Sequence, residues 1–147
     1  IINHSITIKF MTNHDKLNEF VSAAKDALII SDATPLLSNI TVGENIAIVK
    51  EAVYGAKSAT TEVLNYLEKF GVAYITNLRV EVLSKHEIAI AMLIRAQMHS
   101  SEKLIVLAEV FDMDKIDEIA FDLFTKEILI VDKDTNKALY KGIVSGL

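Results

Sequence analysis

The stretch Lys103-Leu104-Ile105-Val106-Leu107 decides the fold class of this chain. Four consecutive aliphatic residues leave no strand face for water, which is typical of a strand buried on both faces of a parallel sheet. Residues 27–30 form a second short apolar run, and residues 5–10 alternate between polar and apolar types, so both segments predict further strands. Helical patterns lie between these strands, and the sequence therefore predicts an α/β fold.

The helical patterns have recognisable beginnings and ends. Thr41 and Glu44 have the spacing of a capping box, in which each side chain satisfies an unbonded amide of the first turn. Gly71 is placed like the left-handed residue that ends a helix. Asp114 and Asp117 have a similar capping spacing ahead of another helix. The predicted helices cover residues 15–26, 41–53, 58–70, 87–98 and 114–124.

The end of the chain predicts a hairpin, with strands at 127–131 and 138–143 joined by the polar turn at 132–137. The turn begins like a calcium loop, but Lys137 stands where that loop needs glycine and Ile143 where it needs glutamate. With 147 residues and no linker composition, the chain is expected to be one domain over 1–147. Its helical part covers approximately 35–98.

Composition excludes several functional classes. The chain has no cysteine, so disulfide frameworks, thiolate metal sites and cysteine nucleophiles are excluded. The formal net charge of −5 gives no basic surface for nucleic acid. No apolar run reaches the length of a membrane-spanning helix, and the first residues do not resemble a signal peptide. We therefore expect a cytoplasmic protein, with some segment preceding Ile1.

The residue spacing does not support several common kinds of functional site. Six carboxylates at positions 109–122 could bind a hard cation, but their spacing favours helix capping. The four histidines are scattered, with no pair at helical spacing, so no metal site is expected. The serine-nucleophile elbow and the glycine-rich phosphate loop are also absent from the sequence.

Several segments, in the order in which they occur, resemble the ATPase domain of ATP-binding cassette (ABC) transporters. Residues 35–47, PLLSNITVGENIA, look like the stretch after the glutamine loop of that family. Residues 83–87, LSKHE, occupy the place of the L-S-G-G-Q signature, and residues 104–109, LIVLAE, that of the Walker B strand. Residues 128–142 resemble the closing hairpin. The resemblance implies a P-loop NTPase-like fold with a mixed sheet flanked by helices, here truncated.

The chain departs from that family where phosphate would be bound. Residues 10–25, in the place of the phosphate loop, contain no glycine, although such loops bring backbone amides close to phosphate. Leu83 and Ser84 keep the first two signature positions. The two signature glycines are replaced by Lys85 and His86, whose side chains would crowd the approach of a nucleotide.

The catalytic positions are also altered relative to the family. The glutamine of the glutamine loop is replaced by Ser31, and the Walker B aspartate by Ala108, so two magnesium contacts are missing. Glu109 keeps the position of the general base, and Asp114 could stand for the aspartate of the D-loop. No histidine follows His99 to act as the switch residue. Glu109 has a second interpretation, as a strand-end carboxylate that caps the next turn.

The resemblance therefore implies a pseudo-ATPase without a cofactor. We expect it to act as an accessory or regulatory partner of a transporter membrane subunit or of an intact ABC ATPase, reaching the inner face of the membrane only through that partner. One alternative is a weak nucleotide-dependent enzyme that uses Glu109 with a metal held by Asp112 or Asp114. Another is a homodimer formed through the apolar helix at 87–98, which could instead be buried within the monomer.

Overall fold

A computed structural model describes residues 6–11, 14–24, 26–141 and 143, and divides them into two compact units. The sheet unit takes its residues from 1–32 and 101–147, and the helical unit is the continuous segment Ala33–Ser100. Strands and helices are both present, so the predicted α/β class is confirmed. The single domain over 1–147 stays a prediction.

Among its described residues, the sheet unit contains four strands that are all parallel. They are β1 (Ile6–Phe10), β2 (Ala27–Ile30), β3 (Lys103–Leu107) and β4 (Glu127–Asp132), in the order β1-β4-β3-β2. The predicted strand at 103–107 is confirmed residue for residue, and Leu104, Ile105 and Val106 are all buried. The expected mixed sheet is not observed among the described residues, because the segment expected to run antiparallel does not form a strand.

That segment, the second half of the predicted hairpin, is a 3₁₀ helix at Asp134–Tyr140. The prediction was wrong because the Asp132 side chain is buried and binds Tyr140, which draws the chain into a tight coil after β4. Gly142, with which the hairpin was expected to close, lies outside the described residues, as does residue 5 at the start of the first predicted strand.

The predicted α-helix at 114–124 is also wrong. The chain there forms two short 3₁₀ helices, Met113–Glu118 and Phe121–Leu123. The carboxylate of Asp112, and not that of Asp114, caps the first of them, accepting a bond from the Asp114 amide at 3.2 Å. Buried residues in this region follow irregular spacings that no single α-helical face can satisfy. They are Phe111, Ile116, Ile119, Phe121 and Phe124.

The helices agree with the sequence more closely. The sheet unit has α1 (His14–Ala23), and the helical unit has α2 (Val42–Tyr54), α3 (Ala56–Lys69) and α4 (Lys85–Gln97). The capping box of Thr41 and Glu44 is confirmed, and Gly71 has the predicted left-handed conformation with φ of +73°. α3 begins earlier than predicted, because Gly55 at φ +96° reverses the chain directly after α2.

α4 is the most deeply buried helix of its unit. Its buried residues include Ala91, Leu93 and Ile94, each 0% exposed. Because this helix is buried on several faces, its burial favours the alternative of a helix packed within the monomer over the alternative of a homodimer. No helix of the described residues combines the length and apolar character needed to span a membrane.

Candidate functional site

The carboxyl edge of the sheet brings some of the predicted site residues together. In parallel α/β sheets, ligands bind outside the carboxyl ends of the strands. Ser31 follows β2 and Ala108 follows β3, and these two strands are adjacent and in register up to Ile30 and Val106. Both residues are buried, so neither presents a side chain to solvent at this edge.

Glu109 is exposed and has a defined partner. Its Oε2 accepts a hydrogen bond from the backbone amide of Asp32 at 3.1 Å, which ties the end of β3 to the residue after Ser31. The second interpretation of Glu109 is therefore correct in kind, because the carboxylate caps a backbone amide. The predicted position of the capped amide is wrong. That amide belongs to Asp32, after β2, and not to the turn that follows β3.

Asp114 does not join this group through any bond of its side chain among the described residues. It is exposed, and its backbone amide donates to Asp112. Among the residues that the structure describes, no group of three histidine, aspartate or glutamate side chains could hold a metal ion. The alternative that uses Glu109 with a metal on Asp112 or Asp114 therefore lacks a third ligand in this part of the chain.

Leu83 and Ser84 belong to the helical unit, where Ser84 is the N-cap of α4. Ser84 Oγ accepts from the Glu87 amide at 3.2 Å, and Glu87 Oε1 accepts from the Ser84 amide at 2.8 Å. The segment that resembles the signature is thus closed by its own capping box. Leu83 is half-buried, and the buried Nδ1 of His86 has no hydrogen-bond partner among the described residues.

Glu87 has a second partner in the hydroxyl of Tyr74, which donates to Oε2. The Tyr74 hydroxyl and the Ser84 amide lower the pKa of Glu87, while the same contact raises the pKa of Tyr74. The carboxylate therefore stays ionised and bonded at neutral pH. The spacing of Ser84 and Glu87 could have identified this cap from the sequence, but no local signal links Tyr74 to it.

Sequence reasoning missed the strongest polar cluster at the carboxyl edge, which we call the Asp132 cluster. Asp132 Oδ1 accepts from the Lys133 amide at 2.7 Å and from Asn136 Nδ2 at 3.0 Å, and Oδ2 accepts from the Tyr140 hydroxyl at 2.6 Å. The ring of Tyr140 meets Phe10 edge to face, with centroids 5.6 Å apart. This cluster covers the ends of β1 and β4, where a ligand of the sheet would be expected.

The Asp132 cluster predicts a stability change in alkaline solution. Burial, and then the bond to Asp132, raise the pKa of Tyr140 well above its ordinary value. Above about pH 10 the unfolded chain releases the phenol proton while the folded chain keeps it, so the free energy of unfolding falls as pH rises. Urea unfolding from about pH 9 to about pH 11 should show this fall, and Tyr140→Phe should reduce it. An unchanged slope in the variant would contradict the assignment to Tyr140.

Comparisons with known proteins do not identify a family. No protein-family model matches the chain, and no curated protein sequence matches it either.

Proposed function

We propose that this chain is a degenerate ABC ATPase-like domain of P-loop NTPase-like fold that has lost ATP hydrolysis. It acts as an accessory or regulatory partner of a transporter membrane subunit or of an intact ABC ATPase, in the cytoplasm at the inner face of the membrane. The observation that carries the proposal is the 3.1 Å bond from the Asp32 amide to Glu109, which engages the residue that stands in the place of the family's general base.

Glu109 lacks the surroundings that a general base needs. A base of this kind takes a proton from a water that is positioned near a phosphate, usually beside a metal ion. The neighbouring position is Ala108, whose methyl group cannot coordinate a metal, and Ser31 is buried after β2. The carboxylate of Glu109 instead holds a backbone amide, which is a structural task.

In the segment that resembles the signature, the backbone amides of Ser84 and Glu87 already have hydrogen-bond partners. At a helix N-terminus, unbonded amides can bind an anion. Here the side chain of Ser84 bonds the amide of Glu87, and the carboxylate of Glu87 brings a negative charge to the same turn. A phosphate approaching α4 would meet that charge, so the N-terminus of this helix favours capping over nucleotide contact.

A binding role is supported by the surface of the helical unit. Of the eight large apolar side chains that are exposed among the described residues, seven lie in this unit. Because exposed apolar groups favour contact with a partner, we place the proposed interaction on this unit. These seven are Leu37, Ile48, Val53, Leu64, Tyr74, Leu78 and Val82.

The test is a calorimetric titration with Mg-ATP, followed by a phosphate-release assay. We expect no saturable heat at millimolar nucleotide and no phosphate release, because neither a phosphate loop nor a magnesium ligand accompanies Glu109. We expect Glu109→Gln to leave both results unchanged and to lower the free energy of unfolding by about 0.5–1 kcal/mol, since the capping bond weakens. Exposed Glu118 supplies the matched control, with no change expected for Glu118→Gln.

Two outcomes would contradict the proposal. Binding of Mg-ATP tighter than millimolar, or phosphate release abolished by Glu109→Gln, would restore the enzymatic alternative. Absence of a complex after co-expression with transporter membrane subunits and intact ABC ATPases of the same genome would refute the accessory role. Size-exclusion chromatography of the co-expressed proteins measures that complex directly.

A further inference from the structure

A cavity of about 320 Å³ opens in the sheet unit, near the amino ends of β3 and β4. Its lining includes Phe20 of α1 and Ala24 after this helix, and Ala27, Ile105 and Leu129 of the sheet. Ile105 and Leu129 are aligned on adjacent strands, so their side chains lie on the same face. The volume lies at the lower end of the range of small-molecule sites in proteins.

The apolar wall of this cavity is incompletely covered by the rest of the chain. β4 is an inner strand, and Ile128 and Ile130 are fully buried, yet Leu129 between them remains partly exposed. Ala24, which lines the same cavity, has only a methyl side chain and fills little of the space. An apolar occupant of this space would remove the exposed leucine from water.

Charged side chains of both signs line the cavity. Lys103 and Glu127 are aligned across β3 and β4, and Asp26 directly precedes Ala27, the β2 residue that is aligned with Lys103. All three are exposed, and within the described part of the chain none of their charged groups forms an ion pair. An ammonium group on a ligand could meet the carboxylates, and a carboxylate on the same ligand could meet Lys103.

We infer that this cavity binds a small zwitterion with an apolar tail, that is, an α-amino acid with a branched aliphatic side chain. The tail fills the space between Phe20 and Leu129. The ammonium group lies toward Asp26 and Glu127, and the carboxylate toward Lys103. The cavity is at the amino edge of the sheet, whereas Glu109 and the Asp132 cluster are at the carboxyl edge, so the inference is independent of the proposed function.

The experiment is a calorimetric titration of the full chain with L-leucine, leucinamide and 4-methylpentanoate. The three compounds share the isobutyl tail, and the second and third lack the carboxylate and the ammonium group, respectively. We expect saturable binding of leucine tighter than millimolar, and binding about tenfold weaker for each analogue, because each loses a charge-assisted contact. No saturable heat from leucine, or equal binding of the three compounds, would overturn the inference.

Variants locate the site. Lys103→Gln should weaken leucine about tenfold and leave leucinamide unchanged, since only leucine has a carboxylate for this lysine. Lys115 is exposed and does not line the cavity, so Lys115→Gln is the matched control. Ala24→Leu should fill the cavity and abolish binding of leucine while the variant still unfolds cooperatively. Leucine binding that is unchanged in both Lys103→Gln and Ala24→Leu would place the amino acid elsewhere.

Discussion

Replacement of Asp132 by alanine is expected to lower the free energy of unfolding by about 3 kcal/mol. The variant loses the bonds that the carboxylate accepts from the Lys133 amide, Asn136 and Tyr140. It also leaves the buried hydroxyl of Tyr140 with only a weak contact to Met113 Sδ at 4.0 Å, and a buried polar group that loses its strong acceptor adds a desolvation penalty. Urea unfolding monitored by circular dichroism measures the loss.

Asp134 is the matched control for this substitution. It begins the 3₁₀ helix after β4, two residues beyond Asp132, and is exposed. Asp134→Ala should change the free energy of unfolding by less than about 0.5 kcal/mol, as is usual for surface positions. Equal losses in the two variants would show that the charge of the segment, and not the buried bonds of Asp132, sets its stability.

The sequence predicted best those elements whose signals are local. The predicted strand at Lys103–Leu107 was correct at both ends, because a strand buried on both faces must be apolar at consecutive positions. The start of α2 was correct because a capping box requires only Thr41 and Glu44 at a fixed spacing. The predicted left-handed conformation of Gly71 was correct, because a residue that ends a helix in this conformation is most often glycine.

The failures occur where contacts between particular side chains, and not the periodicity of the sequence, decide the backbone. The segment 114–124 has helical spacing of polar groups, yet the burial of Phe111, Phe121 and Phe124 against one another favours 3₁₀ turns. The segment 138–143 was predicted as a strand. The hydroxyl of Tyr140 instead donates a hydrogen bond to the carboxylate of Asp132, eight residues earlier in the chain. Neither contact has a signature at short range in the sequence.

The candidate site was predictable in position and not in chemistry. Ser31 and Glu109 lie just after β2 and β3, the strands that the sequence predicted at 27–30 and 103–107. The bond from the Asp32 amide to Glu109 joins positions 77 residues apart, so it follows from the pairing of β2 with β3 and not from any local pattern. The same separation explains why the sequence left the role of Glu109 open between a base and a cap.

Replacement of Leu93 by alanine should lower the free energy of unfolding by about 3 kcal/mol or more, because it leaves a cavity in the core of the helical unit. Leu93 lies on α4 and is 0% exposed. The exposed Ile48 of α2, at 49% exposure, is the control, and Ile48→Ala should cost less than about 0.5 kcal/mol. Thermal or urea unfolding of the two variants measures the difference.

Comparison of the wild-type protein with Leu93→Ala also distinguishes a helix buried within the monomer from a self-association surface. If α4 is buried within the monomer, the unfolding midpoint of the wild-type protein and of Leu93→Ala is independent of protein concentration. If α4 instead pairs with a second copy, folding is coupled to association, and the midpoint rises with concentration in the wild-type protein. Burial of Ala91, Leu93 and Ile94 favours the first outcome. If the midpoint depends on concentration in the wild-type protein but not in Leu93→Ala, burial within the monomer is contradicted. The homodimer would then be the role of this helix.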